Sequence, residues 1–219
     1  MADNKEVTSH IRIADYDYPL PQERIAQHPL KERDRCLLLR RSADGAIDDH
    51  RFDALPELLP PTTLMICNNT RVINARMCFH KSTGARIEVF LLEPDTPSDY
   101  ALMFQSRGRC VWQCMIGNLK RWKDGELEQR VDHTTLRARR LETLGGGAHR
   151  VELSWDDETK TLADIVEAAG KIPIPPYLNR DTEESDSDDY QTVYSKMKGS
   201  VAAPTAGLHF TERVLEELS

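Results

Sequence analysis

Between about Ala75 and Leu153 the chain becomes a series of short segments that often alternate apolar with polar residues. They are Arg86-Ile-Glu-Val-Phe-Leu-Leu92, Tyr100-Ala-Leu-Met-Phe104, Cys110-Val-Trp-Gln-Cys-Met-Ile116, Thr135-Leu-Arg-Ala-Arg139 and His149-Arg-Val-Glu-Leu153. Gly84, Gly108, Asn118, Asp124-Gly125 and Gly145-Gly146-Gly147 separate them. Successive side chains of a strand face opposite ways, so several such segments with turn residues between them predict a small antiparallel barrel or sandwich.

The flanks read differently. A short helical candidate at Gln22 to Gln27 stops before Pro29, and Arg35-Cys-Leu-Leu-Leu-Arg40 reads as a buried strand. Ala43-Asp44-Gly45 marks a turn, and Phe52, Leu55, Leu58 and Leu59 fall at helical spacing. Thr63-Leu-Met-Ile-Cys67 is strand-like. Beyond the barrel, Leu162, Ile165, Val166 and Ala169 form one helical stripe, with Gly170 as its stop. Pro173-Ile-Pro-Pro-Tyr177 predicts a stiff extended loop, and Arg180 to Asp189 a solvated acidic face or mobile loop. A last helix starts near Thr211 and exposes Val214, Leu215 and Leu218 with nothing later in the chain to pack on.

The net charge of -7 argues against a polyanionic partner until its distribution is considered. Residues 71–150 hold 14 Lys+Arg against 9 Asp+Glu, a balance of +5, whereas residues 1–70 stand at -3 and residues 151–219 at -9. Binding of a polyanion depends on local potential, so the barrel segment is a usable footprint; an ordinary mixed-charge surface fits as well on charge alone. Met1 to His10 is polar, without the apolar stretch of a secretory signal, and no apolar run approaches the roughly 20 residues of a membrane helix. The expected setting is cytoplasmic. Cys36, Cys67, Cys78, Cys110 and Cys114 form neither two tight pairs nor a Cys/His set, so the expectation is reduced thiols, mostly in the core, and no metal site.

Three constellations carry possible chemistry. Asn68-Asn69-Thr70-Arg71 follows the predicted strand at Leu64–Cys67, where amide, hydroxyl and guanidinium donors suit a carboxylate, ribose or phosphate. On the residues alone a turn with a salt bridge fits equally. Pro176 and Tyr177 present a ring on a stiff backbone, suited to stacking a base or to a rigid connector, and Tyr190-Gln191-Thr-Val-Tyr194 sets two phenols four residues apart. In Val201-Ala-Ala-Pro-Thr-Ala-Gly-Leu-His-Phe210, small residues including Pro204 and Gly207 allow close backbone approach, Thr205 offers a hydroxyl and His209 a titratable ring. A lone histidine is more often structural than catalytic.

In this order, Cys67-Asn-Asn-Thr-Arg-Val72 with Ala75-Arg76, Gly84 through Ile87-Glu88-Val89, Pro173 to Tyr177 with Arg180, Tyr190 to Tyr194, and Val201 to Phe210 resemble the S-adenosylmethionine:tRNA ribosyltransferase-isomerases of queuosine biosynthesis. The resemblance runs from about Ile11 to Ser219. It departs at Thr62-Thr63, where the family usually has Gly-Asp, and at Gly117-Asn-Leu-Lys-Arg-Trp122, which replaces a lysine-rich stretch. Members of the family also continue well beyond the Gly-Leu-His-Phe motif.

The resemblance implies a mixed α/β fold in which a larger, discontinuous α/β domain, residues 1–75 and 156–219, carries an inserted antiparallel β-barrel, residues 76–155, with the C-terminal half of the family fold missing. It implies transfer of the ribosyl unit of S-adenosylmethionine, a co-substrate, onto 7-aminomethyl-7-deazaguanine at the wobble position of tRNA, where it becomes an epoxycyclopentane while adenine and methionine leave. His209 and Thr205 become candidate catalytic residues. Asn68, Asn69, Thr70, Arg71, Arg76, Pro176, Tyr177, Tyr190, Gln191, Tyr194, Pro204 and Gly207 become candidate substrate contacts, with no metal and a monomeric complete enzyme. The 219 residues alone are expected to be inactive. A tRNA-binding module without catalysis, or an S-adenosylmethionine-dependent methyltransferase, are the alternatives.

Overall fold

The computed structural model describes residues 11–219, a mixed α/β arrangement; the polar start Met1–His10 lies outside them. Its centre is a seven-stranded antiparallel sheet. The strands are β4 (Arg76–His80), β5 (Arg86–Thr96), β6 (Arg109–Gly117), β7 (Glu126–Val131), β8 (Thr134–Thr143), β9 (His149–Trp155) and the short β10 (Gly170–Lys171), in the order β10-β4-β5-β6-β9-β8-β7. The sheet curls until β4 and β7, which share no ladder, approach within 8 Å between Cα atoms.

Alternation decides which side chains go inside. Met77 and Phe79 of β4, Ile87, Val89 and Leu91 of β5, Trp112 and Cys114 of β6, and Val151 and Leu153 of β9 are all fully buried in one cluster. An amphipathic helix, Leu162–Ala169, covers part of this core, with Leu162, Ile165, Val166 and Ala169 joining the cluster as their spacing predicts. A capping box starts it: the Asp164 carboxylate accepts from the Thr161 amide at 2.8 Å, and Thr161 Oγ1 accepts from the Asp164 amide at 3.4 Å. Gly170 ends it with an ordinary extended backbone rather than a left-handed turn. What requires glycine there is the Asn74 carbonyl, which a Cβ at Gly170 would collide with.

Several local expectations change. Tyr100–Gln105 is a helix, not a strand: Asp99 caps it by accepting from the Leu102 amide at 2.9 Å, and only Met103 among its residues is buried outright. β1 (Leu37–Arg41) exists but pairs only with β2 (Ile47–Arg51), so Leu37 and Leu39 face solvent instead of a core. Thr63–Cys67 is not a strand. The Thr63 amide donates to the Pro60 carbonyl at 3.0 Å in a local turn, no strand among the described residues pairs with the segment, and Leu64 and Ile66 stand 84% and 88% exposed. The short β3 (Thr70–Val72) begins only after it, parallel to β11 (Met197–Ser200).

Arg180 to Asp189 is not a solvated face throughout. Asp186, in the helical turn Asp186–Asp189, is fully buried and takes two hydrogen bonds from Arg180, at 2.7 and 2.8 Å, and one from the Glu183 amide at 2.7 Å. The final helix, Glu212–Glu217, does have an apolar partner: Val214 is fully buried and packs with Phe52 and Phe210, while Leu38, Leu55, Leu215 and Leu218 close the cluster. Arg213 and Thr211 tie it down by donating to the buried Asp34 carboxylate at 2.8 and 2.7 Å. Of the cysteines only Cys110 and Cys114 are buried, and Cys67 is exposed.

Candidate functional site

A cleft of about 330 Å³ opens between the N-terminal segment 26–36, the Pro175–Leu178 turn, Asp189-Tyr190 and the Thr205–His209 loop. Three of the sequence motifs meet there, contributing Tyr177, Tyr190, Thr205 and His209. The stiff Pro-Pro segment leads into a 3-10 turn, Pro176–Leu178, that buries Leu178 and leaves Tyr177 61% exposed. His209 precedes the cap of the last helix, its ring 5.5 Å from that of Phe52, while Phe210 stacks edge-on against Phe52 at 4.9 Å. The histidine is thus carried on an aromatic anchor at the rim of the cleft.

Pro204 and Gly207 shape the loop. The Gly207 amide donates to the Pro204 carbonyl at 2.7 Å, and a side chain at Gly207 would run into the Tyr194 hydroxyl and the Thr192 methyl. The small residue therefore serves close packing against Tyr194. Burial, and next the Asp186 carboxylate, push the Tyr190 phenol up, so it stays a protonated donor; burial also raises Tyr194, followed by the nearby Cys67. The Cys36 thiol lining the same cleft is pushed up by burial and by the Asp34 charge.

Tyr190 and Tyr194 do not share a helix face. Tyr190 packs beside Ile172, Ile174 and Leu178, Tyr194 beside Phe52 and Phe210. Gln191 between them is spent on the fold: its amide nitrogen donates to the Val72 carbonyl and its oxygen accepts from the Val72 amide, both at 2.9 Å. Arg76 is likewise engaged, gripping Glu88 with contacts of 2.8 to 3.1 Å.

The Asn68–Arg71 group stands apart from the His209 cleft. Asn68 Oδ1 accepts from both the amide and the hydroxyl of Thr70, at 2.9 and 2.8 Å, a local Asx turn. The Asn69 carbonyl receives the Lys196 and Met197 amides, which starts the β3–β11 pairing. Arg71 is exposed and lines a second cleft of about 370 Å³ with Asn74, Glu167, Ser187 and Lys198.

Sequence reasoning missed Arg33 and His28 in the first cleft. Arg33 donates to the Gln191 carbonyl at 2.8 Å and to the Asp188 carbonyl at 3.3 Å, across more than 150 residues of chain, so no local pattern marks it. Two of its five donors account for those bonds. The cleft thus gathers an exposed phenol ring, an imidazole, a hydroxyl and a guanidinium, enough to stack a heterocycle, move a proton and hold an anion. Among the described residues no group of three His, Cys, Asp or Glu could hold a metal ion, and no helix is long and apolar enough to cross a membrane.

Comparison with known proteins gives concordant matches. The chain is 38% identical over 208 residues to the S-adenosylmethionine:tRNA ribosyltransferase-isomerase of Trichlorobacter lovleyi, covering 94% of this chain and 56% of that protein. It is 38% identical over 209 residues to the enzyme of the same name from Francisella philomiragia, covering 95% and 56%. The chain therefore spans about half the length of the curated relatives it matches. Among solved structures, S-adenosylmethionine tRNA ribosyltransferase from Thermotoga maritima is 26% identical, over 93% of this chain and 53% of that one, with a TM-score of 0.30. The profile described as "Queuosine biosynthesis protein" matches residues 13–219, nearly the whole chain, and the chain belongs to that family.

Proposed function

We propose that these residues form part of an S-adenosylmethionine:tRNA ribosyltransferase-isomerase, a cytoplasmic enzyme that builds epoxyqueuosine on a tRNA carrying 7-aminomethyl-7-deazaguanine. The observation that carries this reading is the cleft in which Tyr177, Tyr190, Thr205 and His209 meet from three separate motifs. The names of the relatives support it. In this reading residues 1–75 and 156–219 form one α/β unit around a barrel unit of residues 76–155, and the helix Leu162–Ala169, packed into the sheet's core, is the seam between them.

The sulfonium of S-adenosylmethionine acidifies the hydrogens on the adjacent C5′, so a base placed there starts the rearrangement, and the departing adenine needs a proton or a hydrogen-bond donor. His209 supplies the acid or base, Thr205 a hydroxyl beside it, and Tyr177 a ring on which adenine or the deazaguanine stacks. In this reading Arg33, in the His209 cleft, and Arg71, in the separate cleft, are the candidates to hold anionic groups such as the methionine carboxylate or a phosphate.

The test is adenine and methionine release from S-adenosylmethionine in the presence of that tRNA, with epoxyqueuosine read by mass spectrometry. In the complete protein His209→Asn is expected to lower kcat by 10² or more, the usual scale for a lost acid or base. Tyr177→Ala acts mainly on KM. Release of S-adenosylhomocysteine in place of adenine and methionine would point to a methyltransferase, and tRNA binding without either product to a non-catalytic module. The 219-residue polypeptide alone is expected to give no product, because Tyr177 and Thr205 lie open to water that the reaction has to exclude.

A further inference from the structure

The cations of the sheet divide into those held by carboxylates and those without an ion pair. Arg76, Arg86, Arg137, Arg139 and Arg150 each meet a carboxylate within 3.1 Å, which cancels their charge locally. Among the described residues Arg107, Arg109 and Arg130 also have no ion pair within 4.0 Å and lie toward the opposite end of the sheet, at the start of β6 and the end of β7, whereas Lys81, Lys120, Arg121, Lys123 and Arg140, equally without one, gather around the loop from Gly117 to Glu126. Lys81 reaches the loop from the β4–β5 turn and donates to the Arg121 carbonyl at 3.2 Å. Arg140 reaches it from β8 and donates to the Lys123 carbonyl at 2.7 Å. Only Asp124 and Glu126 of the loop oppose the five cations.

The loop is also held rigid. It joins β6 to β7, which are not neighbours in the sheet, and so crosses one end of the curled sheet, touching the β4–β5 hairpin through Lys81 and Arg86 and β8 through Arg140. Trp122, 1% exposed, plugs it into the core and donates its indole N–H to the Gly125 carbonyl at 3.1 Å. Asn118 adopts a left-handed backbone that begins the 3-10 turn Leu119–Arg121, and its side chain donates to the Arg86 carbonyl at 2.9 Å. Like charges gathered around one loop repel one another, and a partner with negative charges spaced along it relieves the repulsion. A duplex backbone, with a charge for every few ångströms, has that form.

We infer that the Gly117–Glu126 loop, with Lys81 and Arg140, is a docking arc for the phosphate backbone of RNA, which reads charge and not base sequence. The inference rests on the proposed function, since it assigns the arc to the tRNA substrate at a distance from the reacting base. It also narrows the basic footprint of residues 71–150, since Arg137 and Arg139, the basic pair in β8, are held by Glu128 and Glu152.

The experiment measures binding of an unmodified tRNA transcript to the complete protein across a series of KCl concentrations, with turnover measured in parallel. Changing Lys120, Arg121 and Lys123 to Gln, all exposed, is expected to flatten the slope of log K against log salt by roughly 2 to 3, about 0.9 for each lost phosphate contact. KM for tRNA rises while KM for S-adenosylmethionine and kcat stay put. Lys81→Gln with Arg140→Gln repeats the test from the sheet side, and Arg137→Gln with Arg139→Gln leaves the slope unchanged. An unaltered slope in both arc variants, each with a normal melting curve and active protein, overturns the arc and spares the enzyme reading. A flattened slope in a protein that releases no adenine upholds the arc and overturns the enzyme reading instead.

Discussion

The Gln191 carboxamide both donates to and accepts from the backbone of Val72, so it pins β3 to the segment that carries Tyr190. Both partners are buried, and removing the amide leaves a backbone N–H and a carbonyl without water or protein to bond. Gln191→Leu is therefore expected to lower stability by about 2 kcal/mol or more, seen as a shifted urea midpoint at constant m-value. The activity of the fraction that remains folded should be close to normal. A variant with unchanged stability but a raised KM would restore Gln191 to the substrate contacts. At this scale the sequence identifies residue types worth a role, and His209, Thr205, Tyr177 and Tyr190 do converge on one cleft. It does not distinguish them from Gln191 and Arg76, whose partners lie on strands that pattern alone does not bring together.

Two carboxylates fasten whole elements. Arg180 pairs with Asp186 and also donates to the Gln27 carbonyl at 3.0 Å, joining the Pro-rich loop to the N-terminal segment that forms the far wall of the cleft. Asp34 does the same for the last helix. Hydrogen bonds from Arg180 hold Asp186 below the usual carboxylate range; burial pushes Asp34 up, but Thr211 and Arg213 outweigh it and leave it low as well. For a carboxyl depressed in the folded state, the stabilisation is fully present above its unfolded value of about 3.9 and is lost as pH falls through the folded value. The cleft walls are therefore expected to loosen below about pH 4, while the sheet, whose core is apolar, persists; hydrogen exchange of residues 172–190 against β5 and β6 reads the difference. Asp186→Asn leaves Arg180 unpaired and should cost on the order of 3 kcal/mol at neutral pH. Uniform acid unfolding, or no loss on Asp186→Asn, contradicts this account.

Elements with a strong period were legible: β5, β6, β8, β9 and the helix at Leu162–Ala169 all lie where alternation or helical spacing puts them. β4 and β7 were not: Arg76–His80 is too short to show a period, its apolar residues Met77, Cys78 and Phe79 being consecutive, and Glu126–Val131 has only Leu127 and Val131 as apolar residues, so both owe their strand form to neighbours on the sheet. Tyr100–Phe104 was misread for the converse reason: its apolar run fits a strand, and the Asp99 cap decides for helix. The acidic stretch Arg180–Asp189 hid its one buried carboxylate among solvated ones.

At the scale of the whole molecule, apolar surface is unevenly covered. Leu64, Met65 and Ile66 stand in an unpaired stretch running into β3, and Leu37, Leu39 and Ile47 line the outer side of the β1–β2 ribbon, all exposed. Single exposed apolar residues are ordinary, but a consecutive run with free backbone N–H and C=O groups, continuous with a strand, offers itself for pairing with another chain. The strand-like reading of Thr63–Cys67 rested on an apolar run; what the run could not supply was a neighbour, and without one the segment is not a strand. The purified 219-residue polypeptide is accordingly expected to self-associate as its concentration rises. Leu64→Lys together with Ile66→Lys should return it to a monomer by adding charge to the unpaired stretch. Because both side chains already lie in solvent, the double change should alter stability by no more than about 0.5 kcal/mol per site. Sedimentation at several concentrations, with thermal melts of both proteins, is the measurement. A wild-type chain that stays monomeric throughout would mean that this stretch is covered by a route the fold does not show. A double variant that still associates would shift the contact to the ribbon, where Leu37→Lys and Leu39→Lys repeat the test.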